Sequence, residues 1–94
     1  MSGRQEVAEV VALQALGWLA ADCDRLAGFL AVSGAAPAEL RHRTGEPEFL
    51  AAVLDFVMAE DERVLAFSAF AALAPESVAR ARTGLPGGDL PAWT

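Results

Sequence analysis

Apolar residues recur along this chain at helical spacing, and alternation of apolar and polar residues is weak throughout. From about Gln5 to Ala21 they occupy most of a helix circumference, which predicts a central helix packed by neighbours on several sides. A narrower stripe follows, in which Leu26, Phe29 and Leu30 stand at positions i, i+3 and i+4 of a second helix. The pattern therefore predicts an all-α fold.

Capping residues, prolines and glycines divide this pattern into six helices. Asp22 or Asp24 is the predicted N-cap of the second helix, and Asp61 that of the fifth. Proline at the first helical position begins the third, fourth and sixth helices, at Pro37, Pro47 and Pro75. Glycine ends three of them, at Gly34, Gly45 and Gly84. We predict a six-helix bundle over residues 1–84 and an irregular C-terminal arm over residues 85–94.

The chain also resembles itself. A shift of 38 residues aligns four identical pairs without a gap: Leu16 with Leu54, Arg25 with Arg63, Phe29 with Phe67, and Pro37 with Pro75. This register predicts two pseudo-repeated three-helix units, over residues 10–43 and 48–81, each covering the apolar face of the other. Superposition of the two units is expected to place Arg25 over Arg63 and Phe29 over Phe67.

Composition and charge narrow the classes of function. Hydrophobic residues make up 54% of the chain and charged residues 21%, the balance of a folded globule. The net charge is −6, and an acidic chain repels the phosphates of DNA or RNA, so nucleic acid is not an expected partner despite the basic patch at residues 41–43. Uncharged runs are too short for a transmembrane helix, and Glu6 and Glu9 interrupt any signal peptide. We expect a cytoplasmic protein with no membrane partner.

Candidate catalytic and metal-binding residues are few. His42 stands between two arginines, which is typical of a solvated histidine, and Cys23 stands between two aspartates, which disfavour a reactive thiolate. We expect Cys23 to be a buried or half-buried small apolar residue. Two acidic clusters, at residues 22–24 and 60–62, are interpreted as helix caps, the alternative being a Mg²⁺ or Ca²⁺ site. We predict no catalytic residue, no metal and no cofactor, and hence no enzyme.

Apolar residues outside the regular pattern indicate two kinds of binding. Leu85, Leu90 and Trp93 give the arm an interaction surface, which either folds back into a groove of its own chain or docks on another copy or another protein, the third alternative being a disordered arm. We expect Trp93 to pack against helical residues in either case. Alternatively, four aromatic residues line a ligand pocket between the helix triplets: Trp18, Phe29, Phe56 and Phe67.

Three segments carry a resemblance to a known family, namely LQALGWLA at residues 13–20, PEFLAAVLDF at residues 47–56 and LPGGDLPAWT at residues 85–94. They resemble a small alphaproteobacterial family catalogued as domain of unknown function 3572. The resemblance implies a bacterial cytoplasmic protein and supplies no activity, cofactor or catalytic residue. It also implies genes that often lie near those of cell-cycle response regulators. Our first hypothesis is therefore a non-enzymatic protein-interaction module, acting as a homodimer or as a regulator of a signalling protein. The second is a small protein that binds apolar ligands.

Overall fold

A computed structural model describes the backbone of residues 2–85 and the side chains of residues 5–85. The described chain contains six α-helices and no strand, which confirms the all-α prediction. The helices are α1 (Ser2–Ala20), α2 (Cys23–Ser33), α3 (Leu40–Arg43), α4 (Pro47–Met58), α5 (Asp61–Ala71) and α6 (Pro75–Thr83). A single 3-10 turn, Pro37–Glu39, leads into α3.

Most helix ends follow the sequence signals. The predicted bounds of the third helix are wrong, since Pro37 begins the 3-10 turn, α3 starts at Leu40, and Thr44 rather than Gly45 is its C-cap. The carboxylate of Asp22 accepts hydrogen bonds from the backbone N–H groups of Asp24 and Arg25, so Asp22 is the N-cap of α2. Gly34 ends α2 in the left-handed conformation, at φ 76°. The prediction of Asp61 as the cap of α5 is wrong by one residue, because Glu60 holds the extended backbone of an N-cap and Asp61 is already helical.

The core lies around α1 and α4, the two longest helices. Each of them contacts α2, α5 and α6, and they also pack against each other. The largest fully buried side chains come from every helix except α3: Leu19, Phe29, Phe49, Val53, Leu54, Val57, Phe67 and Val78. Phe29 joins α2 to α4, since its ring meets those of Phe49 and Phe56 edge-on, with 5.6 Å between centroids in each pair.

An arginine closes the end of α1, and the contact set recurs at the end of α4. Arg25 donates a hydrogen bond to the Trp18 carbonyl at 3.0 Å, and its guanidinium lies 4.2 Å from the centre of the Trp18 ring. Arg63 donates to the Phe56 carbonyl at 2.9 Å and lies 4.0 Å from that ring. These carbonyls belong to the last helical turns, so a cation there also complements the helix dipole. We call the two sets the Arg25 cap and the Arg63 cap.

The two caps occupy equivalent positions in the predicted repeat, as do two left-handed residues, Gly34 and Ala72. The units differ at their third helices, since α3 has four residues and α6 has nine. Local geometry thus agrees with the 38-residue register in two places, whereas the superposition of residues 10–43 on residues 48–81 stays a prediction.

Ala72→Gly is expected to stabilise the protein by about 0.5–1 kcal/mol. A Cβ in the left-handed region costs roughly 1–2 kcal/mol, and glycine offsets part of this gain because it increases the conformational entropy of the unfolded chain. Ala72 has φ 58° where α5 ends, and thermal or urea unfolding measures the change. Gly34→Ala is the matched control and is expected to change stability in the opposite direction. A loss of stability in Ala72→Gly would contradict the left-handed assignment.

Candidate functional site: an apolar helix face and two grooves

Helix α1 carries apolar residues on two opposite sides. Its inner side is buried in the core through Ala8, Val11, Ala12, Ala15, Leu16, Trp18 and Leu19. Its other side, which we call the outer face, consists of exposed residues, namely Glu6, Val10, Leu13, Gly17 and Ala20. Val10 and Leu13, three residues apart on this face, are 55% and 44% exposed. The prediction of a central helix with several neighbours is confirmed by the contacts of α1 with α2, α4, α5 and α6, while its outer face remains in solvent.

A groove runs between the first half of α1 and α6. It has a volume of about 400 Å³ and is lined by Val7, Ala8, Val11, Leu73, Ser77, Arg80 and Ala81. We call it the α1–α6 groove. Val7 belongs to its wall and is itself 64% exposed, so the apolar surface of the groove reaches solvent on the α1 side. Arg80 and Ser77 provide the polar part of a lining that is otherwise apolar.

A second groove, of about 380 Å³, lies between α2 and α4 and extends to the start of α5. Its wall includes Phe29 and Phe56, two of the four residues predicted to line a pocket. The other two form a separate pair, since the rings of Trp18 and Phe67 are 5.9 Å apart. All four side chains are buried, at 1% to 8% exposure for Phe29, Trp18 and Phe56 and 0% for Phe67. The four residues therefore form two separate ring pairs in the core, and only the pair of Phe29 and Phe56 lines this groove.

The predicted arm enters the described structure only at its first residue. Leu85 is buried at 3% exposure, and its carbonyl lies 3.5 Å from the Arg82 guanidinium. Arg82 in turn binds both carboxylate oxygens of Asp55 on α4, at 2.6 and 3.2 Å. Leu90 and Trp93 lie outside the described residues, and the docking of Trp93 stays a prediction. The Trp93→Ala variant tests this docking. Loss of a packed tryptophan is expected to lower the melting temperature, and loss of a contact between copies would also lower the mass measured by sedimentation.

The residues considered for catalysis lie apart on the surface of different helices. His42 is exposed on α3, with Arg43 turned to Glu46 and to the Phe49 ring. Cys23 is exposed at the first position of α2, so the expectation of a buried or half-buried cysteine is wrong. The reason is local, because Asp22 and Asp24 keep the start of α2 in solvent.

The acidic clusters act within their own helices. Asp22 caps α2, and Glu60 pairs with Arg63 at 3.4 Å. Among the residues that the structure describes, no three His, Cys, Asp or Glu side chains are grouped so that they could hold a metal ion. The capping interpretation is thereby supported for Asp22, whereas Glu60 makes no side-chain hydrogen bond to the start of its helix.

Addition of Mg²⁺, Ca²⁺ or Zn²⁺ in modest excess is expected to leave the melting temperature unchanged, because an ion that binds the native state alone would raise it. Differential scanning fluorimetry with and without each ion measures this. An increase of several degrees with one ion, abolished by Asp22→Asn or Glu60→Gln, would overturn the interpretation of these carboxylates as capping and pairing groups.

Within residues 2–85, no single helix is long and apolar enough to cross a membrane. Helices α5 and α6 taken together have the length and apolar composition of a membrane span, but the chain bends by 100° between them.

The outer face of α1 is the feature that sequence reasoning missed. Apolar residues over most of a helix circumference predict burial over most of it, yet the core contacts this helix on its inner side only. The sequence signal for this face is a second apolar stripe on the same helix. A chain of this length forms a single core, which buries one face of a helix, so a second stripe indicates a second interface.

Comparison with known proteins supplies a family. A model of a family described as protein of unknown function (DUF3572) matches residues 5–88. Searches of curated proteins and of solved structures found no match. The alphaproteobacterial origin implied by the resemblance stays a prediction.

Proposed function

The chain belongs to the DUF3572 family, whose function is unknown, and we propose that it is a non-enzymatic module that binds protein through the outer face of α1. The observation that carries the proposal is the exposure of Val10 and Leu13 on a helix whose other side is fully used by the core. Covering exposed apolar surface with a partner is favourable, by about 25 cal/mol for each Å² removed from water. The arrangement is that of a helix able to serve two interfaces at once.

An interaction role also agrees with the chemistry of the remaining surface. Cys23 and His42, the residues first considered for catalysis, are exposed and belong to α2 and α3, with flanking aspartates in one case and arginines in the other. The buried aromatic rings pack on one another in the core. The partner is proposed to be a second copy or a signalling protein, and the latter rests on the family resemblance alone.

Site-specific photo-crosslinking in cells that naturally produce the protein tests the proposal. A benzophenone amino acid in place of Leu13 is expected to form covalent adducts with protein. The same amino acid in place of Leu65 is the control, since Leu65 is 60% exposed and belongs to a different helix, α5. Adducts that form only at position 13, and that Val10→Glu suppresses, support the proposal. Equal or absent crosslinking at the two positions would contradict it.

Binding of a small apolar ligand is the second candidate, and the α1–α6 groove favours it over the pocket predicted from the four aromatic residues. Its volume of about 400 Å³ lies within the range typical of ligand sites, and most of its lining is apolar. The guanidinium of Arg80 at this groove suits a ligand with an apolar chain and one carboxylate.

Titration with decanoate tests this candidate. Saturable binding that Arg80→Gln weakens by about tenfold, equivalent to roughly 1.4 kcal/mol, is the expected result. Arg41→Gln is the matched control, since Arg41 is exposed on α3 and is not part of the lining. Absence of saturable binding, or equal loss in the two variants, would reject the ligand hypothesis.

A further inference from the structure

We infer that the outer face of α1 is the seam of an antiparallel dimer between two copies of this chain. The inference rests on the proposed function, because it names the partner of the same surface. Three observations support it: the spacing of the exposed residues, the position of the charges on α1, and the sizes of the side chains that an antiparallel arrangement brings together.

The exposed residues stand at the spacing of a coiled coil. Glu6, Val10, Leu13, Gly17 and Ala20 follow one another at alternating intervals of four and three residues. This is the repeat at which side chains remain on the side of a helix that faces a second helix. With about 1.5 Å of rise per residue the seam is about 21 Å long. It is separate from the core, since none of its members is buried.

The charges on α1 favour an antiparallel orientation. Among the described side chains of α1, those of residues 5–20, the charged ones are Glu6 and Glu9, both near one end. A parallel pair would place these carboxylates against the same carboxylates of the partner. An antiparallel pair places Glu6 level with the partner's Gly17, so that the two Glu6 side chains are separated along the axis by about 16 Å, more than the Debye length of about 8 Å at physiological salt. Glu9 lies level with the partner's Gln14, so the two Glu9 side chains are about 7.5 Å apart along the axis instead of side by side. The helix dipoles also oppose each other favourably in this arrangement.

Side-chain size agrees with the same arrangement. About a two-fold axis between residues 11 and 12, Val10 meets the partner's Leu13, so the two larger apolar residues fill the centre of the contact twice. Glu6 meets the partner's Gly17, where the space around the Cα is open and can hold the methylene groups of a glutamate while its carboxylate reaches water. The surface is therefore complementary to itself, as a two-fold interface requires.

The size of the contact predicts weak association. A seam one helix wide and about 21 Å long covers less than the roughly 800 Å² per partner of a standard stable interface. The dissociation constant of the dimer is expected to lie between about 10 µM and about 1 mM, the weak end of the affinity scale, because the interface is small. Such an equilibrium allows exchange between a second copy and another protein.

Sedimentation equilibrium across that concentration range tests the dimer. Leu13→Glu is expected to weaken self-association at least tenfold, since it places a charge at the centre of the seam. Leu65→Glu, the same change at an exposed site on α5, is expected to leave the association unchanged. Because Leu13 is already 44% exposed in the single chain, circular dichroism of both variants should show the native helical content. A monomeric wild-type protein at every concentration would overturn the inference, as would equal loss in both variants.

Chemical crosslinking tests the orientation. In a Cys23→Ser background, a mixture of Glu6→Cys and Gly17→Cys proteins is expected to be joined by a short bismaleimide, whereas Gly17→Cys alone, which keeps both glutamates, should not be joined to itself. Crosslinking of Gly17→Cys alone would indicate a parallel pair and would overturn the antiparallel arrangement. The cysteine of the natural sequence is removed because Cys23 is exposed and would react.

The two proposals fail in different ways. If the chain is monomeric but the benzophenone at position 13 captures another host protein, the dimer inference is wrong and the proposed function stands. If neither a second copy nor a host protein is captured at position 13, both are wrong.

Discussion

Phe29→Ala is expected to lower the free energy of unfolding by about 3–5 kcal/mol, as large-to-small substitutions of buried phenylalanine do. Phe29 is 1% exposed and contacts Phe49 and Phe56 edge-on, so the substitution removes both ring contacts between α2 and α4. Globular domains are stable by only about 5–15 kcal/mol, so the loss is a large part of the total. Urea unfolding followed by circular dichroism measures it.

Val32→Ala is the matched control, because Val32 lies on the same helix and is 76% exposed. Its effect is expected to stay within about 0.5 kcal/mol, the usual range for surface substitutions. If Phe29→Ala and Val32→Ala have similar effects, the ring cluster does not hold α2 against α4.

Arg63→Met and Arg25→Met are each expected to lower stability by about 1–3 kcal/mol, the usual range for a hydrogen bond to a charged donor, with a contribution from the cation–π contact. The side chains are 27% and 37% exposed, respectively, so solvent screening reduces the electrostatic part, and Arg63→Met should have the larger effect. Methionine keeps much of the apolar contact with the ring, which limits the change to the guanidinium. Chemical unfolding of the two variants gives the comparison.

Arg43→Met is the control for this pair. Its guanidinium lies 4.8 Å from the centre of the Phe49 ring, but it donates a hydrogen bond to the exposed Glu46 side chain rather than to a helix-end carbonyl. A loss below about 1 kcal/mol is therefore expected, as for an exposed ion pair. Equal losses at all three arginines would show that bonding to a helix end adds nothing to the ring contact.

Much of the fold can be predicted from the sequence because its signals are local. Proline at positions 37, 47 and 75 and glycine at 34 act through backbone torsions that hold in any surroundings, and helices begin and end there in the structure. The apolar stripe of α4 likewise predicts its core face, since Phe49, Leu50, Val53 and Val57 are buried. The aspartate at position 22 caps a helix because its carboxylate needs only the amides two and three residues ahead.

Tertiary structure decided the features that depend on what lies next to each helix. The periodicity of α1 is apolar on both sides, so it predicts a buried helix, and only the packing of α4 and α6 on one side shows that Val10 and Leu13 face solvent. The sequence pattern places Arg25 and Arg63 in the first turns of their helices. In the structure each donates a hydrogen bond to a carbonyl at the end of the preceding helix. The sequence by itself determined which segments are helical, since that depends on neighbours along the chain. Which apolar face remains free for a partner depends on neighbours across the fold, whose positions the sequence pattern does not contain.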